Sequence, residues 1–179
     1  HKKLLTIAGR ISPLKDFKQL INLAKAIKEN SSHEFKVLIA GEAKDKHTKY
    51  LEELKSSIYD LGLSEHIHFL GFRKDIKDIY SISSIVYNTS NKPESFGRSI
   101  LEPLSLGIPS IGYSRGGVKE ILDELYPFGA IEPGDDNELL SKSLSILDGN
   151  NTTVISNTKF LTSEMCNKTI KMYKEISSW

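Results

Sequence analysis

Two glutamates eight residues apart, Glu94 and Glu102, stand in the segment Asn91-Lys92-Pro93-Glu94-Ser95-Phe96-Gly97-Arg98-Ser99-Ile100-Leu101-Glu102. A carboxylate accepts through two oxygens and is well suited to a pair of vicinal hydroxyls. With Glu94 in a loop and Glu102 about two turns into the helix that follows, the two acids can reach different parts of one extended ligand. Amides around Phe96, Gly97 and Arg98, at the start of that helix, lack intrahelical acceptors and can donate to a phosphate or a sugar oxygen. Singly, each acid has a simpler reading, Glu94 as a favourable first-turn charge and Glu102 as a surface charge.

A second set lies near the start of the chain. Gly9-Arg10-Ile11-Ser12-Pro13-Leu14-Lys15 delivers two cations just ahead of a helix, and a guanidinium fork with an ammonium point charge beside free helix amides suits a pyrophosphate. Taken alone, two such charges are more simply the solvated charges of a loop. A third segment, Ser114-Arg115-Gly116-Gly117-Val118-Lys119-Glu120, carries paired glycines that permit close backbone approach or positive φ, although a plain strand-to-helix turn explains them too. The chain has no G-x-G-x-x-G and no G-x-x-x-x-G-K-[ST], which disfavours a dehydrogenase-type dinucleotide site and a P-loop. His33, His47, His66 and His68 are not at metal-ligand spacing and there is no D-x-D pair, so no metal is expected. Asn-x-Ser/Thr triplets such as Asn88-Thr89-Ser90 are read as by-products of an Asn- and Ser-rich chain.

Apolar runs rich in β-branched residues alternate with segments of helical period, the pattern of a parallel sheet covered by helices. Strands are expected at Leu4 to Ala8, Lys36 to Ala40, Ile67 to Leu70, Ile85 to Tyr87, Ser110 to Gly112 and briefly near Ala130. Leu20, Ile21, Leu23, Ala24 and Ile27 form the apolar stripe of a first helix, with Asp16 and Gln19 as a capping pair at its start. Lys49 to Leu61 and a segment after Asp135 are further helices, ended by Gly62 and Gly149. From Thr162 to Ser178 the apolar residues are thinly spread, which predicts a helix that docks weakly or against something outside this chain. In such a sheet, ligands collect at the carboxyl ends of the strands, where all three unusual loops fall.

The 179 residues are enough for one core. With 24 Lys and Arg against 23 Asp and Glu, a net charge of +1 excludes a broad polyanion-binding surface, so no nucleic-acid partner is expected. The single cysteine, Cys166, excludes an internal disulfide and suits a reducing, cytoplasmic compartment.

Taken together, G-R…K after the first strand, E-S-F-G-R-S-I-L-E, S-L-G-I-P-S-I and G-G-V-K-E-I resemble the C-terminal half of the group 1, or family 4, retaining glycosyltransferases of GT-B architecture. The likeness covers roughly Lys3 to Asp148. It implies a Rossmann-like three-layer α/β/α domain over residues 1–160, with a parallel sheet of about six strands, and a terminal helix over 161–179 that crosses to an N-terminal domain outside this sequence. It implies a UDP- or GDP-linked sugar donor and no cofactor or metal. The acceptor would be a glycan or lipid-linked molecule held through the other domain, in surface polysaccharide or lipopolysaccharide synthesis, with the protein cytoplasmic or peripheral at the inner face of the membrane. Arg10 and Lys15 would neutralise the diphosphate, with Gly9 beside them, and Glu94 would hold donor-sugar hydroxyls. Ser95, Phe96, Gly97 and Arg98 would meet sugar and phosphate oxygens, Glu102 would bind the ribose, and Phe72 and Arg73 would form the base-binding edge. Glu120 would support the glycine loop. Alone, the domain would bind nucleotide and turn over little or nothing. A sugar-nucleotide epimerase, a glycogen-synthase-like enzyme and a non-catalytic nucleotide-binding module would share these features. Two departures from the family pattern are Asp16, where Gly is usual after the Lys, and Pro103, where Ala is commoner and a bend in the helix is expected.

Overall fold

The computed structural model describes residues 2–177. His1, and Ser178 and Trp179 of the expected terminal helix, lie outside the described residues. Six parallel strands, β1 (Lys3–Ala8), β2 (Phe35–Ala40), β3 (Ile67–Gly71), β4 (Ile85–Asn88), β5 (Ser110–Tyr113) and β6 (Ala130–Ile131), are ordered β3-β2-β1-β4-β5-β6. The connecting helices are α1 (Phe17–Asn30), α2 (Thr48–Asp60), α3 (Ile76–Ser81), α4 (Arg98–Ser105), α5 (Gly116–Leu125) and α6 (Asp136–Leu147), and they cover both faces of the sheet. This is the parallel sheet covered by helices expected from the alternation of strand and helix patterns, in the Rossmann-like arrangement that the family resemblance implies. Each expected strand is present, and the first five are each longer by one residue at one end.

Burial on both faces explains why the strands read as near-continuous apolar runs: Leu5, Val37, Ile39, Ile85, Tyr87 and Ile111 are all within 2% of full burial. Order reverses between β1 and β4, so the chain leaves these two neighbours in opposite lateral directions and opens a crevice at their carboxyl ends.

α1 buries the stripe Leu20, Ile21, Leu23, Ala24 and Ile27 and packs against α2 and α6. Its start differs from the expected capping pair. Asp16 occupies the N-cap position, but its backbone is left-handed (φ 47°) and its side chain caps nothing; the Gln19 amide bonds the Asp16 carbonyl instead. The left-handed backbone turns the carboxylate away from the first-turn amides, towards Tyr50 and Tyr113, whose phenol pKa values its charge helps to raise after burial. Glycine is the residue that adopts this backbone without penalty, which gives a physical reason for Gly at that place. Asp135, by contrast, caps α6 as its position suggests, accepting from the Glu138 amide at 2.8 Å.

After α6 an extended segment returns over the domain, with the Ile155 amide bonding the Leu125 carbonyl and Val154 and Phe160 packing on the core. The last helix, α7 (Thr162–Ser177), buries no residue, and Met165, Ile170, Met172, Tyr173 and Ile176 are each more than half exposed.

Candidate functional site

The loops after β1, β4 and β5 converge, and backbone contacts fix them before any side chain does. After β1 the Gly9 amide donates to the Ala40 carbonyl, and Gly41 lies so close that a Cβ there would sit 1.9 Å from the Gly9 oxygen. After β4 the Asn91 amide bonds the Leu14 carbonyl, and Thr89 Oγ1 lies 3.2 Å from the carbonyl oxygens of both Lys15 and Asp16. The β5 loop locks onto the same segment. The Gly117 amide donates to the Glu94 carbonyl at 2.8 Å, and Glu94 and Gly116 form an isolated parallel bridge. A Cβ on Gly117 would stand 2.4 Å from the Phe96 oxygen, and one on Gly116 2.7 Å from the Glu94 oxygen. Close backbone approach is thus what the paired glycines provide, and the backbone they approach is that of the protein.

This clamp presents Glu94. Its Oε1 accepts from the Lys15 ammonium, from Ser90 Oγ at 2.6 Å and from Asn88 Nδ2 at 3.0 Å. Asn88 is itself fixed, donating to Ser99 Oγ at 2.8 Å and accepting the Ser90 amide at 3.1 Å. Burial by itself would raise the Glu94 pKa; donation from Lys15, Ser90 and Asn88 outweighs it and holds the carboxyl below the usual carboxylate range. Arg115 braces the loop through a 2.6 Å bond from its guanidinium to the Ser90 carbonyl.

Glu102 is held otherwise. One turn back on α4, Arg98 donates to Glu102 Oε1 from Nε at 3.0 Å and Nη2 at 2.7 Å, and the Arg98 side chain is 81% exposed. α4 runs from Arg98 to Ser105 with Pro103 inside it, and Gly97 (φ 92°) is its N-cap.

Two clefts meet over these groups, sharing Ala8 and Gly9. One, of about 260 Å³, is lined by Lys15, Tyr80, Glu94, Arg98, Ser99 and Glu102. The other, of about 480 Å³, runs along the ends of β1, β2 and β3 between Arg10, Gly41, Glu42, Phe72, Arg73 and Ile76. In the larger cleft the Phe72 amide donates to Glu42 at 3.3 Å and the Phe72 ring is 66% exposed. Arg73 is paired with Asp75. Arg10 is exposed and lines the larger cleft, next in sequence to the shared Gly9.

The fold therefore brings together Gly9, Arg10, Lys15, Phe72, Arg73, Glu94, Arg98 and Glu102 around two joined clefts. Phe96 lies at the edge, half exposed and edge-on to Phe160 at 6.5 Å, with Ser95 exposed in the loop beside it and Gly97 buried beneath. Glu120 lies on the exposed side of α5 and lines neither cleft. Among the described residues no group of three or more His, Cys, Asp or Glu side chains could hold a metal ion. Sequence reasoning passed over Asn88, Ser90, Arg115 and Tyr80. The signal for the first two was available, since polar residues directly after the buried strand Ile85-Val86-Tyr87 are 4% and 6% exposed and must find partners there.

Comparison with known proteins gives a consistent outcome. A family model described as "Glycosyl transferases group 1" matches residues 1–159. An uncharacterized glycosyltransferase of Methanocaldococcus jannaschii is 32% identical over 123 residues, covering 68% of this chain and 30% of that protein. Among solved structures, Anabaena HepE in complex with UDP and glucose is 29% identical with a TM-score of 0.75, covering 84% of this chain and 40% of that one. The C-terminal domain of the Francisella tularensis group 1 protein LpcC is 25% identical with a TM-score of 0.72, over 84% of this chain and 78% of that one. The chain spans less than a third of the length of the curated relatives it matches. By that family match and by its six-stranded parallel sheet, the chain belongs to the group 1 glycosyltransferases, with the Rossmann-like fold of their GT-B C-terminal domains.

Proposed function

We propose that this chain is the donor-binding domain of an enzyme that transfers a sugar, with retention, from a UDP- or GDP-linked donor to a glycan or lipid-linked acceptor in surface polysaccharide or lipopolysaccharide synthesis. The observation that carries the reading is the pair of acid–cation contacts, Lys15 with Glu94 and Arg98 with Glu102, opening on one cleft at the reversal between β1 and β4. Anabaena HepE is seen with UDP, and with UDP and glucose, and a Rhizobium meliloti relative, 28% identical over 85 residues, is named a lipopolysaccharide core biosynthesis mannosyltransferase.

In this reading the donor replaces internal partners with its own groups. Its diphosphate becomes the counter-anion of Lys15 and Arg10. Glu94, still held by Asn88 and Ser90, is then free to accept from a sugar hydroxyl. As the bond from the anomeric carbon to the diphosphate breaks, negative charge grows on the leaving phosphate, and fixed cations with the unbonded amides at the start of α4 stabilise it. No metal is required for that role. The base lies along the 480 Å³ cleft against Phe72 and Arg73. The acceptor site belongs to a second domain, across which α7 lays its exposed apolar face, so the isolated domain binds nucleotide but transfers little. No helix among the described residues is long and apolar enough to cross a membrane, and attachment at the inner face of a membrane would come through that second domain.

Titration calorimetry of this chain with UDP and with GDP tests the reading. Binding of at least one at millimolar concentration or tighter is expected, and binding of neither overturns it. In the two-domain enzyme, Glu94→Ala is expected to abolish transfer with the fold intact; normal turnover would refute the assignment of Glu94.

A further inference from the structure

Tyr80, near the end of α3, is among the largest fully buried side chains of the domain, with 1% of its surface exposed. Two other buried tyrosines have partners, Tyr87 donating to Ser143 at 3.0 Å and Tyr126 to the Asn151 carbonyl; Tyr50 Oη has none, but Tyr50 lines neither cleft. Among the described residues the Tyr80 hydroxyl forms no hydrogen bond, yet the side chain lines the 260 Å³ cleft with Lys15, Glu94, Arg98, Ser99 and Glu102. Among the described residues the enclosed side-chain polar atoms without a partner are Tyr50 Oη and Arg115 Nε; Tyr80 Oη is not one of them, so the small exposed part of this side chain includes its hydroxyl, at the cleft.

The surroundings specify what the hydroxyl can meet. Burial first, and the charge of Glu102 second, raise the phenol pKa, with Arg98 opposing weakly; the group is protonated at neutral pH and is a donor. Its neighbour Glu102 offers carboxylate oxygens, which accept. A ligand oxygen lying between a donor and an acceptor must itself accept and donate, as an alcohol does. A phosphate oxygen would accept from the phenol but would face the Glu102 carboxylate, like charge against like.

We propose that Tyr80 is a further binding residue of this site, its hydroxyl donating to a ribose hydroxyl of the donor nucleotide while Glu102 accepts from the ribose. The inference rests on the donor-site reading above and adds a residue to it. It also gives a partner to a hydroxyl at the cleft that forms no hydrogen bond within the described residues.

The test compares the 179-residue chain with its Tyr80→Phe variant by calorimetry against UDP, GDP and ADP and the 2′-deoxy and 3′-deoxy analogue of whichever binds, with thermal melting of both proteins. The expected result is a loss of roughly five- to tenfold in affinity for the ribonucleotide in the variant, the worth of one hydrogen bond. Affinity for one of the deoxy analogues should be unchanged, and the melting temperature unchanged or higher. Equal affinity of wild type and variant for the ribonucleotide overturns the proposal and leaves the donor site standing. Equal losses for the ribonucleotide and both deoxy analogues also overturn it, placing the hydroxyl away from the ribose. Failure of the wild type to bind any of the three nucleotides overturns the donor-site reading, and this proposal with it.

Discussion

Glu94 sits in a loop clamped by three strands' worth of backbone and three side-chain donors, whereas Glu102 rides on a helix with one exposed arginine across a single turn. The first arrangement fixes a carboxylate before any ligand arrives, the state that precise recognition requires. The second leaves a carboxylate free to trade partners at little cost, because exposed ion pairs are worth less than about 1 kcal/mol. The difference suggests where the domain has committed its stability: to the loop between β4 and α4, and not to the outer turn of α4.

The comparison can be broken most severely at the glycine clamp. Gly117→Ala forces a methyl group to within 2.4 Å of the Phe96 oxygen and 2.6 Å of its carbonyl carbon and Cα, and backbone on both sides must move. About 3 kcal/mol of destabilisation is expected in urea unfolding, whereas Gly107→Ala, with nothing within 4 Å, should cost only the backbone penalty of about 1 kcal/mol. Equal effects of the two would show that the clamp is not rigid.

Removing the ammonium that faces Glu94 comes next. Lys15→Met is expected to cost about 2 kcal/mol, within the range of about 1.5 to 3 kcal/mol for losing a hydrogen bond to a charged group. The same contact sets a pH dependence. A carboxyl with a lower pKa in the folded than in the unfolded chain adds stability above its ordinary value of 4.5, and loses that contribution as the pH falls through the folded value. Acid titration of stability below pH 4.5 should therefore be shallower in Glu94→Gln than in the wild type, and identical slopes would contradict the ion pair.

Asp16→Gly addresses the strain on the cation side of the clamp. Glycine relieves the left-handed backbone at φ 47°, and a gain of about 0.5 to 1 kcal/mol is expected, read as a higher melting temperature; a loss would show that the carboxylate serves the tyrosines beside it. The smallest effect belongs to Arg98→Ala, at most about 0.5 kcal/mol in denaturant unfolding. A larger cost would place Arg98 in the fold of α4 and erase the contrast between the two glutamates.

Much of this architecture was legible in the chain, for identifiable reasons. The β-branched runs are buried on both faces, so each strand announced itself, and Glu94, Glu102, Arg10 and Lys15 were visible because charged residues at the carboxyl ends of parallel strands are conspicuous. Pairing was not visible: Lys15 finds Glu94 across 79 positions, and nothing local forecasts that. Asn88-Thr89-Ser90 read as compositional noise, although its buried amide and hydroxyl hold Glu94 in place. Asp16 was misplaced because capping rules assume an extended N-cap backbone, and here the turn Pro13–Lys15 delivers the chain in a left-handed one. For α7 the thin apolar spacing correctly foretold a helix with little to bury on this domain.

The reversal of strand order between β1 and β4 has a thermodynamic consequence. Arg10 and Lys15 come from the chain leaving β1, and Glu94, Arg98 and Glu102 from the chain leaving β4, so neither half of the sheet carries a complete site. Any opening that parts β1 from β4 dismantles the 260 Å³ cleft, which takes Lys15 from one side and Glu94, Arg98 and Glu102 from the other, and severs it from the larger cleft on the β1-β2-β3 side. A ligand bound there would therefore oppose that opening by RT ln(1 + [L]/Kd), and amides of both strands should gain protection from hydrogen exchange together, as one cooperative unit. The ligand would act as a rivet through the middle of the sheet.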